Sequence, residues 1–220
     1  MSTTRSRFTA YKWATGLGAG LAQSLVYFEI GNAHFDRSTE LLRTRLDDAI
    51  PFIPATSWLY LPFYAAIFII AIAGFRTRAH FDRGLVGVGT ILLVGLTCHR
   101  LIPAAYPRPL LHPPYPDVSY TFMAWVQAVD PPGNVFPSLH VAHTFSLALI
   151  LHHENPPLGR VTLVMAALLA LSTLTTKQHF VADVVSGILL AACVRFAVLW
   201  TLEPAGATSV APGSRAAPSR

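Results

Sequence analysis

Charge is the scarcest commodity in this chain. Only 12% of its 220 residues are Asp, Glu, Lys or Arg, against roughly 25% in ordinary soluble proteins. With a mean hydropathy of +0.48, that scarcity argues against a water-soluble helical bundle. Cysteine is nearly absent: Cys98 and Cys193 both fall inside apolar runs, where they read as small packing residues and not as a disulfide or a metal pair. No run of Asp and Glu resembles a magnesium site and no Cys/His set resembles a zinc site. The sequence therefore calls for no metal and no other cofactor. The net charge of +5 does not point to nucleic acid, because the basic residues are scattered through short connections and form no patch.

Apolar sequence is what the chain has in abundance, at 53% of residues. Six runs approach the roughly 20 residues that cross a bilayer as a helix: about 11–30, 57–75, 84–103, 137–152, 160–176 and 180–200. The expected fold is all-α, a six-transmembrane-helix bundle forming one domain over residues 1–202. A tail over 203–220, rich in Ala, Pro, Ser and Gly, reads as disordered. The first run resembles a signal peptide in having basic residues before an apolar core. It is long, however, contains Gly16, Gly18 and Gly20, and no small-x-small cleavage site follows. It is read as an uncleaved helix whose Gly16 and Gly20 form a G-x-x-x-G pair suited to close helix approach.

Connections on the two faces differ in length. Those at 75–83 and 152–159 are short, whereas 31–56 and 104–136 are long. Within the first long one, Phe35 to Ile50 mixes apolar and charged residues as a helix lying in the interface would, and Pro51 and Pro54 end it. The second carries eight prolines between Pro107 and Pro137, together with Tyr106, Tyr115, Tyr120 and Trp125. These aromatics suit either an interfacial belt or the lining of a headgroup entrance. Placing the N-terminus inside puts ten basic residues on the short-loop face: Arg5, Arg7, Lys12, Arg76, Arg78, Arg83, Arg160, Arg195, Arg215 and Arg220. Six remain opposite: Arg37, Arg43, Arg45, Arg100, Arg108 and Lys177. The positive-inside rule then predicts both termini in the cytoplasm.

Ionisable residues at the edges of apolar runs are costly, and so mark function. His179 and Asp183 stand four apart, a spacing that places them on one helix face. A carboxylate on one imidazole nitrogen fixes the tautomer and raises the basicity of the other, making a nucleophile or a base; an ion pair anchoring a helix end is the plain alternative. His140 follows Pro137-Ser138-Leu139, which reads as a helix start with Pro at the first position. Ser138 and the free N–H groups of that turn form a natural phosphate site, where a histidine can protonate a leaving oxygen. His143, one turn on, is read as packing within the bundle. Arg108 supplies a planar fork for two phosphate oxygens and Lys177 a point charge. Arg100 is either a further cation for the site or a snorkelling residue.

These residues resemble the type-2 phosphatidic acid phosphatase superfamily, whose pattern runs Lys-x6-Arg-Pro, Pro-Ser-Gly-His, then Ser-Arg-x5-His-x3-Asp. Arg108-Pro109 matches the first part, but Leu101 stands in the lysine position. Pro137-Ser138-Leu139-His140 matches the second with Leu for Gly. Ser172, His179 and Asp183 match the third, with Thr173 in the arginine position. The sequences Phe136 to His140 and Thr176 to Asp183 are more similar to the branch of inositol phosphorylceramide synthases and, more distantly, sphingomyelin synthases. The resemblance implies six membrane helices and a site at the outer leaflet of a plasma or inner membrane, facing the outside or periplasm. It also implies metal-independent transfer through a phosphohistidine. His179 would be the nucleophile, His140 the acid and Asp183 the residue orienting His179, with Lys177 and Arg100 standing in for the missing cations. Substrates would be membrane phospholipids or lipid phosphates. A water acceptor makes a phosphatase, and a lipid or polyol hydroxyl makes a head-group transferase. A non-catalytic lipid-binding or transport protein is the alternative from another class, but no internal repeat is visible and the polar cluster lies at one face. The sequence does not specify an oligomeric state.

The charge count predicts that a cysteine replacing Tyr115 reacts with an impermeant thiol reagent in intact cells while one replacing Glu154 does not. The opposite labelling pattern would invert the topology.

Overall fold

The structure, a computed structural model, describes residues 2–32, 41–102 and 104–202, and no β-strand occurs among them. Helices follow one another as α1 (Ser2–Asn32), α2 (Arg45–Ala49), α3 (Ser57–Gly74, entered through a 3-10 turn at Pro54–Thr56), α4 (Arg78–Leu101), α5 (Val118–Val129), α6 (Leu139–Glu154), α7 (Pro156–Thr175) and α8 (Val181–Leu202). Among the described residues, four segments are long and apolar enough to cross a membrane: Pro54–Gly74, Arg78–Leu101, Pro156–Thr175 and Val181–Val198. Outward-facing Leu93, Leu171, Leu189 and Phe196 are exposed on them, as expected of lipid-facing surface. The protein is thus an all-helical integral membrane protein.

The other two expected spans are helical but differ from those four in kind. α1 carries Arg5, Arg7, Lys12 and Glu29 along its 31 residues. α6 has only 16 residues, of which eleven are buried, including His140, His143, Thr144 and Ser146. It packs against α3, α4, α7 and α8. A helix surrounded by protein need not be apolar on every face, so its polar residues can meet partners inside the bundle instead of lipid.

The long connections also differ from expectation. The interfacial helix expected over Phe35 to Ile50 is, within the described residues, the single turn and a half of α2; residues 33–40 lie outside them, as does the 203–220 tail. The proline-rich connection contains α5, a helix that was not expected. Asp117 starts it, its carboxylate accepting from Ser119 N (2.7 Å) and Tyr120 N (3.1 Å), a strong N-cap. Met123 and Val126 form its buried face. Trp125 on its outer side lies near-parallel to Phe122, which stacks on Trp58 of α3 at 4.1 Å.

Apolar burial gives little drive for helix association inside lipid, so close packing and polar ties must supply it. Half of the G-x-x-x-G pair is used in this way: a Cβ on Gly16 would fall 2.7 Å from the Ile72 side chain, while Gly20 faces open space. Lys12 of α1 donates to the C-terminal carbonyls of α3, Ala73 (2.8 Å) and Phe75 (3.2 Å). At the end of α6, Glu154 accepts from the backbone N–H groups of Arg76 and Thr77 at 3.1 and 2.7 Å, fastening the α3–α4 turn.

One close helix approach bears on the site. A Cβ at Gly187 of α8 would sit 2.7 Å from the carbonyl oxygen of Ser138 and 3.2 Å from Cβ of Val141. Because the nearest obstacle is backbone, a side chain there must push α6 and α8 apart. Gly187→Val should cost about 1–3 kcal/mol, the range for overpacking a close-packed interior, and lower the thermal midpoint in detergent by several degrees. An unchanged midpoint would refute this role.

Candidate active site

The α6 N-terminus starts differently from expectation. Pro137 precedes the helix, and Ser138 is the N-cap, its hydroxyl accepting from Val141 N at 3.4 Å. The expected phosphate ligand Ser138 thus has a capping task. Its own N–H donates to the carbonyl of Asp183 at 3.1 Å, joining the start of α6 to the first turn of α8.

His179 is also placed differently: it precedes α8 and does not share a helix face with Asp183. Lys177 turns the chain through a left-handed conformation (φ 57°). The carbonyl of Thr173 then receives both Gln178 N (2.9 Å) and His179 N (3.2 Å), so the position where the superfamily pattern has arginine closes the turn with its backbone. The pairing survives: His179 Nδ1 lies 3.4 Å from Asp183 Oδ2 and 3.2 Å from the carbonyl of Val135. A carbonyl can only accept, so Nδ1 carries the hydrogen, leaving the lone pair of the neutral ring on Nε2. Asp183 Oδ2 also accepts from Phe180 N at 2.8 Å, and Oδ1 is buried with no hydrogen-bond partner among the described residues.

His140 and His179 come together, ring centroids 6.0 Å apart in an edge-to-face arrangement. Both are nearly inaccessible, at 6% and 3% exposed. His140 closes one end of a cavity of about 170 Å³ that is also lined by Gln23, Tyr27, Tyr64 and Asp130. Gln23, Ser24 and Tyr64 are shared with a wider, largely apolar crevice between α1 and α3. The cavity at His140 therefore leads sideways along that helix pair. His143 lies deeper. Its Nε2 is 3.2 Å from the carbonyl of Val88, and Nδ1 is 3.2 Å from the Tyr64 hydroxyl.

Of the expected cations, Arg108 alone meets a residue that lines this cavity, Asp130. Its guanidinium reaches the carbonyl of Asp130 and, at 3.4 Å, the Asp130 carboxylate, while Nε is buried without a hydrogen-bond partner among the described residues. The expectation that Lys177 replaces the missing arginine is not matched by its position. Its ammonium donates to the carbonyls of Asp47 and Ile50 at the end of α2 and lines a separate cleft with Arg43, Asp48 and Tyr106. Helix-terminal carbonyls carry partial negative charge, and here they hold the cation. Arg100 is exposed at the end of α4. Leu101, in the family's lysine position, is 74% exposed, so the site receives no side chain from it.

Three important residues escaped the sequence reading. Asp130 is buried beside His140, and its carboxylate accepts from the hydroxyls of Tyr27 (2.7 Å) and Tyr60 (2.8 Å). Burial pushes this carboxyl up, but Arg108, His140 and the two hydroxyls outweigh burial and hold it below the usual carboxylate range. Tyr60 lies 3.0 Å from His140 Nδ1. The available signals were faint: one of only eleven acidic residues, set before Pro131-Pro132, and tyrosines interrupting apolar runs.

The profile of the PAP2 superfamily matches residues 32–197, and the chain belongs to that superfamily. A segment of 58 residues is 40% identical to an uncharacterised protein of Methanocaldococcus jannaschii. That segment covers 26% of this chain and 24% of the archaeal protein. No solved structure matches the chain significantly.

Lys177→Met should therefore act on structure before chemistry. Hydrogen exchange of backbone amides over residues 44–50 should accelerate, while kcat falls by less than about tenfold, well short of the roughly 10²-fold or greater loss that removal of a transition-state donor causes. A loss of that larger size with unchanged exchange would return Lys177 to the phosphate.

Proposed function

We propose that the protein is a membrane lipid phosphoryl-transfer enzyme working through a phosphohistidine on His179. The single observation that carries the reading is the proton placement at His179. Its Nδ1–H is held by Val135 and Asp183, which leaves the lone pair on Nε2 of a buried ring that packs beside His140. Nε2 attacks phosphorus as the bond to the leaving oxygen breaks, and His140 gives that oxygen a proton. Asp183 keeps the His179 ring oriented and offsets its positive charge. In the second half, His140 takes the proton from the incoming hydroxyl, whose oxygen displaces His179.

Phosphoryl transfer is mostly positioning and charge neutralisation. Arg108, with its unpartnered Nε, and the N-terminal N–H groups of α6 are the groups placed to provide it. The crevice between α1 and α3 gives an apolar path to His140 for a substrate drawn from lipid. α1 and α6 complete six spans, with both termini cytoplasmic and the site facing outside. Within the superfamily, the Phe136–His140 and Thr176–Asp183 sequences favour the inositol phosphorylceramide synthase-like branch, hence head-group transfer from a phosphodiester to a hydroxyl. Hydrolysis is the same chemistry with water as acceptor. A panel of labelled phospholipids, presented with and without alcohol acceptors, separates the two.

His179→Ala should abolish turnover and the acid-labile, base-stable label of phosphohistidine, since no second nucleophile is placed to replace it. Retention of more than roughly a tenth of wild-type kcat, a deficit under about 1.4 kcal/mol, would overturn the assignment. Activity should also persist in EDTA and fall with vanadate, which adopts the five-coordinate geometry of the transition state. Chelator-sensitive activity restored by Mg²⁺ would contradict the mechanism.

A further inference from the structure

We infer that Asp130 is a positioning residue for His140, acting through the hydroxyl of Tyr60. The inference rests on the phosphohistidine reading above, with His140 as the proton donor. Tyr60 is fully buried and Asp130 is 5% exposed, so their hydrogen bonds are not diluted by water. The Tyr60 hydroxyl has one proton, and an ionised carboxylate can only accept. That proton therefore points to Asp130 Oδ2, 2.8 Å away. The Tyr60 oxygen is left presenting a lone pair to His140, 3.0 Å from Nδ1 and 3.3 Å from Nε2. His140 must answer with an N–H; Nδ1 is the nearer nitrogen, so that hydrogen is assigned to Nδ1 and Nε2 is left for substrate.

Such a chain does for His140 what a directly bonded carboxylate does for a ligand or catalytic histidine elsewhere. It selects one tautomer, fixes the ring plane and places negative charge where the imidazolium form benefits. The supporting contacts converge on the same end. Tyr27 donates to Asp130 Oδ1 at 2.7 Å, fixing the carboxylate in two directions. Arg108 approaches Oδ2 at 3.4 Å and favours the ionised form. The rings of Tyr27, Tyr60 and Tyr64 lie 5.8, 4.8 and 4.7 Å from that of His140, leaving it little room to rotate. A wholly structural reading, in which Asp130 merely ties the end of α5 to α1 and α3, does not require the hydroxyl of Tyr60 to face an imidazole as well.

The two readings separate by leaving group. As His179 bonds to phosphorus, an alkoxide leaving oxygen needs the proton of His140, whereas nitrophenolate departs as a stable anion. General acid catalysis is worth roughly 10²–10⁴-fold, and weakening its support should remove a part of that. Tyr60→Phe, which keeps the ring and leaves Asp130 with Tyr27 and Arg108, should lower kcat on phosphatidic acid by about tenfold or more and on p-nitrophenyl phosphate by less than about threefold. Asp130→Asn should show the same selectivity where it folds. Equal losses on both substrates would reduce Asp130 and Tyr60 to scaffolding and overturn the inference. A second readout needs no turnover: nitrogen NMR of histidine-labelled protein should show a single tautomer for His140, assigned by its loss in His140→Gln, and a mixture in Tyr60→Phe. A mixture already present in the wild type overturns the inference whatever the protein turns over. A wild type inactive on every phosphate ester, yet showing the single tautomer, defeats the phosphohistidine reading and leaves the Asp130 arrangement standing.

Discussion

The hydrogen bond from Ser138 N–H to the carbonyl of Asp183 joins the two places where this chain turns back into the bundle, and the site depends on it. One end belongs to the cap of α6, two residues before His140. The other belongs to the first turn of α8, whose Asp183 carboxylate holds His179. The bond is possible because Gly187 lets the α6 backbone approach α8 at a distance that any side chain would prevent. Neither histidine is fixed by its own element alone: His140 answers to Tyr60 of α3, and His179 to Val135 of the preceding loop. The first turns of two helices therefore act as one unit that brings the N-terminus of α6 to the same place as His179.

A second constraint explains where the cations went. Where a helix ends against other segments, its terminal carbonyls lose part of their access to water, and leaving them unpaired is costly. Lys12 serves the end of α3, Lys177 the end of α2, and Arg108 the carbonyl of Asp130 just past α5. Each helix end is thereby satisfied by a cation from a segment distant in sequence, which also ties separate parts of the chain together. For Arg108 the proposed second task, holding phosphate, falls to a guanidinium whose Nε is buried without a hydrogen-bond partner among the described residues. Lys177 has no such second task, because its ammonium faces the α2 cleft.

The all-helical membrane architecture was legible because period and solvent leave few choices for long apolar runs. The meeting of His140, His179 and Asp183 was legible from residue types placed at run edges. What the sequence hid followed from competition between local signals. The run of prolines from Pro107 to Pro137 obscured α5, whose capped amphipathic stretch is flanked by Pro113, Pro114 and Pro116 on one side and Pro131 and Pro132 on the other. Counting four residues from His179 to Asp183 suggested a helix face, yet the left-handed turn at Lys177 puts His179 ahead of the helix while preserving the pair. Lys177 was assigned by charge, and charge does not reveal that a nearer set of carbonyls claims it. Asp130 and Tyr60 lie 70 residues apart, and no pattern along one chain announces such a meeting.

The crevice between α1 and α3 changes what concentration means for this protein. It opens to the flank of the helix bundle and meets the cavity at His140 through Gln23, Ser24 and Tyr64. A ligand that travels by this route is presented by two-dimensional diffusion within one leaflet, already oriented with its polar end at the depth of His140. Its occupancy then follows its mole fraction among neighbouring lipids, not its amount per volume of suspension. Adding inert lipid at constant total ligand dilutes it as surely as adding water dilutes a soluble substrate.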